Sequence, residues 1–82
     1  MNLRIRYFAS IREALGPGES VATGAVTLGD LRDELIARGG AHAEALARGK
    51  AVRMALDQVM SDESSALREG AEVAFFPPVT GG

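Results

Sequence analysis

Residues 2–8 alternate in character: Leu3, Ile5 and Tyr7 fall on one side, and Arg4, Arg6 and Phe8 on the other. A period of two marks a strand with one buried face. Ser10 and Glu13 then carry the spacing of a capping box, Gly16 suits a left-handed helix end, and Pro17 blocks continuation. Residues 10–15 therefore read as a short helix. Residues 19–23, centred on Val21, predict a second strand, followed by a turn at Gly24. Thr27 and Asp30 form a second cap, after which Leu28, Leu31, Leu35 and Ile36 recur at helical spacing with Arg32, Asp33 and Arg38 between them. This is the clearest amphipathic helix in the chain, and Gly39-Gly40 is expected to end it.

Beyond it, residues 41–48 are Ala-rich with Leu46 as one large anchor, which predicts a marginal helix stopped at Gly49. Val52, Met54 and Leu56 alternate with Arg53 and Ala55 as a third strand. Asp57-Gln58 is a turn, Val59-Met60 a minimal fourth strand, and residues 61–67 a polar turn region. Gly70 precedes a last strand over residues 72–76. Strands on both sides of one main amphipathic helix predict an α+β domain whose mixed sheet curls over that helix. The expected core is Leu3, Ile5, Tyr7, Leu28, Leu31, Leu35, Val52, Met54, Leu56, Val73 and Phe75.

Composition narrows the chemistry. A length of 82 residues allows one domain and a modest core. The chain has no cysteine, which removes disulfides, thiolate metal sites and a thiol nucleophile, and one histidine leaves too few soft ligands for a transition metal. A net charge of −2 without a basic stripe argues against a nucleic-acid partner. Apolar runs are far short of the ~20 residues that span a bilayer, and the N-terminus lacks a secretion signal. The expected location is the cytoplasm, with no membrane partner. His42 reads as an exposed helix residue, and Asp33-Glu34 and Asp62-Glu63 as solvated charges. No phosphate-binding glycine loop occurs. The sequence predicts no self-contained active site, no metal and no bound cofactor.

The C-terminal end differs from the rest. A hydrophobic strand runs into Pro77 and Pro78, then Val79, Thr80 and a closing Gly81-Gly82. The prolines fix φ and bias the chain toward an extended spacer. Six residues reach about 20 Å at roughly 3.1–3.6 Å each. Two glycines lack Cβ atoms, so their backbone fits a channel too narrow for any side chain. A terminal carboxylate is ionised at neutral pH and a poor electrophile, so its reaction requires activation, which adenylation with ATP would supply. The expected division is a domain over residues 1–76 and a reactive tail over residues 77–82.

The run from Glu72 through Phe75-Phe76-Pro77-Pro78 to Gly82 resembles the end of the small, sulfur-carrying subunits of molybdopterin synthase, the MoaD-type family. Tyr7-Phe8-Ala9 and Arg12-Glu13-Ala14-Leu15-Gly16 are also similar, so the resemblance spans the chain. Ala71 and Asp57 depart from it, at positions where Asp and Asn are expected; both concern turns rather than the tail. The resemblance implies a β-grasp, ubiquitin-like fold with the first and last strands as central parallel neighbours. It further implies that Gly82 is adenylated by an E1-like enzyme that uses ATP and is converted to a thiocarboxylate with the help of a sulfur donor system. Inserted into the large synthase subunit, which holds the catalytic pocket of a heterotetramer, Gly82 then delivers sulfur to cyclic pyranopterin monophosphate. With those strands adjacent, Phe8 and Phe76 meet on the outer sheet face, and Met60 extends the patch; together with residues 77–80 these form the expected partner surface. A thiamin-thiazole-type sulfur carrier and a ubiquitin-like modifier joined through Gly82 to lysines are the alternatives.

Overall fold

A computed structural model describes residues 1–78. Its elements are β1 (Asn2–Tyr7), α1 (Ala9–Leu15), β2 (Gly18–Ala22), α2 (Leu28–Ile36), α3 (Gly40–Ala45), β3 (Arg53–Leu56), β4 (Val59–Ser61) and β5 (Glu72–Phe76). The five strands form one sheet in the order β2-β1-β5-β3-β4. Only β1 and β5 pair in parallel, with Ile5 opposite Val73 and Tyr7 opposite Phe75; the other three pairings are antiparallel. This is the β-grasp arrangement that the resemblance implies, with β5 at the centre of the sheet.

Burial follows the alternation. Leu3, Ile5 and Tyr7 are buried on β1 and Val73 and Phe75 on β5, while Arg4 and Arg6 remain exposed. Against this inner face α2 lays Leu28, Leu31 and Leu35, each at most 1% exposed. Thr27 caps α2 as expected, its hydroxyl accepting from the Asp30 amide at 3.1 Å. At the other side of the sheet Gly18 lets β2 approach β1 closely: a Cβ there would lie 2.3 Å from the Ile5 carbonyl oxygen. Asp57 and Gln58 both have positive φ (49° and 68°), the geometry of a tight two-residue hairpin turn between β3 and β4. The Asp57 carboxylate secures that turn by accepting from the Glu72 amide at 3.0 Å and from Arg68 at 2.7 Å.

Several expectations need correction. Ser10 does not cap α1; the capping position is Phe8, with no side-chain cap, because β1 passes straight into the helix through Ala9 at φ 52°. Gly39-Gly40 does not end α2, which stops at Ile36; these glycines, both at positive φ, open α3 instead. Val52 and Leu56 only border the core, whereas Ile11, Leu46, Leu67, Ala25 and Ala71 belong to it. His42 is not simply exposed. Its Nε2 lies 2.9 Å from Glu19 Oε2, beside Arg38 Nη1 at 2.6 Å from Oε1 and the buried Tyr7 hydroxyl, which donates to Oε2 at 2.7 Å. Burial raises the Glu19 carboxyl, but the bonds from His42, Arg38 and Tyr7 outweigh that and hold it at about 2.

The carboxylate pairs are likewise structural. Glu34 accepts from the Thr23 hydroxyl, Asp33 and Glu63 pair with Arg48, and Asp62 accepts from the Ser64 amide at 3.0 Å. Arg32 is buried and staples the α3–β3 connection: its guanidinium donates to the carbonyls of Leu46 (2.8 Å), Ala47 (2.7 Å) and Lys50 (3.1 Å). Every one of these groups is engaged in holding the chain together.

Candidate docking face and reactive tail

The central strand β5 runs between β1 and β3 and delivers the chain to Pro77 and Pro78, both half-buried. Gly81 and Gly82, the expected reactive residues, lie outside the described residues, as do Val79 and Thr80. The site is therefore built from the root of the tail and the sheet face around it.

Register fixes that face. Arg6 stands opposite Ala74, Ala74 opposite Ala55, and Ala55 opposite Met60. These positions alternate with the buried Tyr7, Phe75 and Met54 and the half-buried Leu56, so all lie on the outer side of the sheet. Phe8 continues the extended backbone of β1 (φ −131°, ψ 156°), and its amide donates to the Phe75 carbonyl at 3.1 Å. Its ring therefore stays outward. The guanidinium carbon of Arg6 lies 5.4 Å from that ring's centroid, a cation–π contact on the same face. Phe76, opposite Arg53, keeps outward parity as well and is half-buried. No bulge interrupts the β1–β5 register, so neither ring turns into the core.

The sheet order separates Phe8 from Met60 by three strand spacings, about 14–15 Å. Ala74 and Ala55 stand in the row that runs from Arg6 to Met60, and Phe8 and Phe76 lie one row further along the strands; Ala74 is half-buried and Ala55 is only 8% exposed. Phe8 is 36% and Met60 60% exposed. Arg4, Arg6 and Arg53 border this face, with Glu72 opposite Arg4. Such a surface is apolar at its centre and polar at its rim, the anatomy of a protein interface.

The chemistry beside this face is limited. Among the described residues no group of His, Asp and Glu could hold a metal ion, and no helix is long and apolar enough to cross a membrane. The sequence reading grouped Phe8, Phe76 and Met60, and the register brings all three to one face. Strand parity in the sequence also puts Ala74 on the face of Phe76, as the register shows, but does not add Ala55 or Arg53 to it. The signal was present in the strand parity of residues 53–55, once β3 is placed next to β5.

Comparison with known proteins agrees with this geometry. The ThiS family model matches residues 5–82. The molybdopterin synthase sulfur carrier subunit of Haemophilus influenzae is 37% identical over 81 residues, covering 98% of this chain and 99% of that protein. The crystal structure of SAMP1 from Haloferax volcanii superposes with a TM-score of 0.75 at 27% identity, with both chains covered completely. A chain from the complex of subunits 1 and 2 of molybdopterin-converting factor from Helicobacter pylori gives 0.70 at 26% identity, again over the whole of both chains. A family match over nearly the full length, with a relative above 30% identity across the same span, places this chain in the ThiS family.

Proposed function

We propose that this protein is the sulfur carrier subunit of a molybdopterin synthase, acting in the cytoplasm with residues 77–82 as its reactive tail. The observation that carries the reading is the coupling of two features on one strand: β5 bears the docking residue Phe76 and leads directly into the Pro-Pro-diglycine tail. A partner that grips the outer face is thereby registered against the tail. The complex of subunits 1 and 2 of molybdopterin-converting factor from Helicobacter pylori supports a large-subunit partner, to which this reading assigns the catalytic pocket.

The chemistry assigned to the tail is stepwise. A carboxylate oxygen of Gly82 attacks the α-phosphate of ATP on an E1-like enzyme and pyrophosphate leaves. Sulfur from the donor system then displaces AMP, giving a thiocarboxylate. In the large subunit that sulfur passes to cyclic pyranopterin monophosphate to build the dithiolene. The domain itself contributes affinity and reach rather than acid–base groups, consistent with Asp33, Glu34, Asp62, Glu63 and His42 being engaged in the fold.

The test is intact mass after incubation with the activating enzyme, ATP and a sulfur donor. The expected change is one oxygen replaced by sulfur, lost when Gly82 is deleted and strongly reduced in Gly81→Ala. An unaltered mass with an active enzyme, or equal charging of the deletion variant, overturns the reading. The similarity to SAMP1, the small archaeal modifier protein 1 of Haloferax volcanii, favours a second use of the same activated tail as a protein modifier. Tail-directed blots of cell lysate distinguish the two: ladders report conjugation, a single small band the carrier role alone.

A further inference from the structure

A strand inside a sheet has both backbone edges paired, whereas a strand at the border leaves one row of N–H and C=O groups open. β2 stands at one border of this sheet. Its pairing with β1 fixes which groups are open. Thr23 and Met1 exchange backbone hydrogen bonds at 2.8 and 2.6 Å, and the Tyr7 amide donates to the Pro17 carbonyl at 3.1 Å. Glu19 and Val21 therefore turn their backbone groups toward β1, and by alternation Gly18, Ser20 and Ala22 turn theirs outward. All three are exposed. The devices that usually close such a border are missing: β2 holds no lysine and no proline, and its register with β1 runs without a bulge. Its one charged residue, Glu19, points inward and is held by Tyr7, Arg38 and His42. At the other border β4 has only three residues, and its Met60 already belongs to the outer docking face.

The side chains beside this edge select what pairs with it. Gly18, Ser20 and Ala22 stand opposite Arg6, Arg4 and Asn2 on the outer face. Their small side chains leave a hollow of about 340 Å³ lined by Arg4, Arg6, Gly18 and Ser20. Among the described residues neither arginine forms an ion pair, although Glu72 stands opposite Arg4 on the far side of β1. On the inner side the edge shows Val21, half-buried against the core. A strand added about 4.8 Å beyond β2 thus meets positive charge with its outward residues and an apolar contact with its inward ones. A second copy of β2 fits poorly, because it brings its own Arg4 and Arg6 to the same face and no free carboxylate to meet them.

We propose that the free edge of β2 binds an extended acidic segment of a partner protein by strand addition, the segment alternating carboxylate and apolar residues. It pairs antiparallel, the more stable arrangement per residue. Its acidic residues lie opposite Gly18, Ser20 and Ala22 and exchange backbone hydrogen bonds with them. Their carboxylates reach Arg4 and Arg6 across side chains too small to obstruct them, and the apolar residues face Val21. Backbone pairing supplies the affinity, and the arginines supply the choice of partner. This surface is separate from the docking of the large subunit: Phe76 and Met60 lie two and four strands away in the sheet order.

The experiment titrates the isotope-labelled full chain with a capped peptide of about seven residues that alternates glutamate and valine, long enough to cover β2. The largest amide shifts are expected at Gly18, Ser20 and Ala22, with hydrogen exchange there slowed about tenfold or more at saturation. N-methylation of the glutamate amides, which face β2 in the antiparallel register, is expected to weaken binding at least about tenfold. N-methylation of the valine amides, which face away, is expected to leave binding unchanged. Added salt should weaken the glutamate peptide, and a peptide with lysine in place of glutamate should not bind. Absence of binding by the glutamate peptide overturns the proposal, as do equal binding by the lysine peptide, equal loss from both methylated peptides, or shifts centred on Phe8, Ala74 and Met60. Shifts along β2 that grow with protein concentration alone assign the edge to a second copy and overturn it as well. None of these readouts involves sulfur charging, so failure here leaves the carrier reading standing.

Discussion

Phe75 and Phe76 are adjacent, and strand parity assigns them opposite tasks. Phe75 is fully buried and stacks on Tyr7 with ring centroids 6.2 Å apart. Truncation to alanine removes a whole aromatic side chain from a packed interior, which costs about 3–5 kcal/mol. The aromatic pair accounts for roughly 0.5–1.5 kcal/mol on its own. A domain of this length has a total stability of about 4–12 kcal/mol, so Phe75→Ala is expected to be barely folded. With a urea slope near ~1 kcal/mol/M, its denaturation midpoint should fall by about 3 M or disappear. Phe76 is half-buried on the outer face, so Phe76→Ala should move the midpoint by less than about 1 M. Its effect belongs to binding: a loss of more than ~1 kcal/mol, about five- to tenfold in Kd for the large subunit, measured by calorimetry. Two titrations therefore separate neighbouring residues. Equal destabilisation by both substitutions, with normal binding by folded Phe76→Ala, would refute the assignment of the outer face as the docking surface.

The remaining expectations concern the frame that holds this face. Glu19 is held at about 2, against an ordinary 4.5, so its ionised form stabilises the fold above about pH 4.5, and that contribution is lost as pH falls toward 2. Glu19→Gln should therefore unfold more readily than wild type at pH 7, with the gap closing below pH 4.5 in thermal melts; a gap that widens on acidification contradicts the network. Thr27→Ala removes the α2 cap and should cost about 0.5–2 kcal/mol, read by denaturant titration, with no change in large-subunit affinity. Leu46→Ala should cost about 2–5 kcal/mol, because Leu46 is fully buried beneath a segment otherwise rich in alanine; an unchanged midpoint would remove α3 from the core.

The legible parts of the sequence were those in which one residue's environment depends on its own strand or helix. Residues 72–76 match β5 to the residue because a strand with one buried face writes its parity directly into side-chain type. Thr27 was legible for the same reason, since its partner, the Asp30 amide, is three residues away. What failed depended on distant chain. The Ser10 box had the right letters, yet the link from β1 fixed the helix start at Ala9. Arg32 looked like a polar residue between leucines, but its partners are carbonyls 14 to 18 residues further on. His42 met Glu19 only because β2 and α3 converge beside Tyr7.

The same distinction separates the proposed reactive end, which lies outside the described residues, from the face proposed to serve it. A diglycine tail acts through its backbone and its carboxylate, so its chemistry is spelled out in consecutive residues. The proposed docking face is assembled from four strands that are distant in sequence: parity groups Phe8, Phe76 and Ala74, Met60 is added from its short strand, and Ala55 joins only once β3 is registered on Ala74. That assembly places constraints on the alanines as strong as those on the rings. A large side chain at residue 74, half-buried on the outer face between Arg6 and Ala55, should weaken partner binding while the fold persists, read by calorimetry beside a denaturant titration.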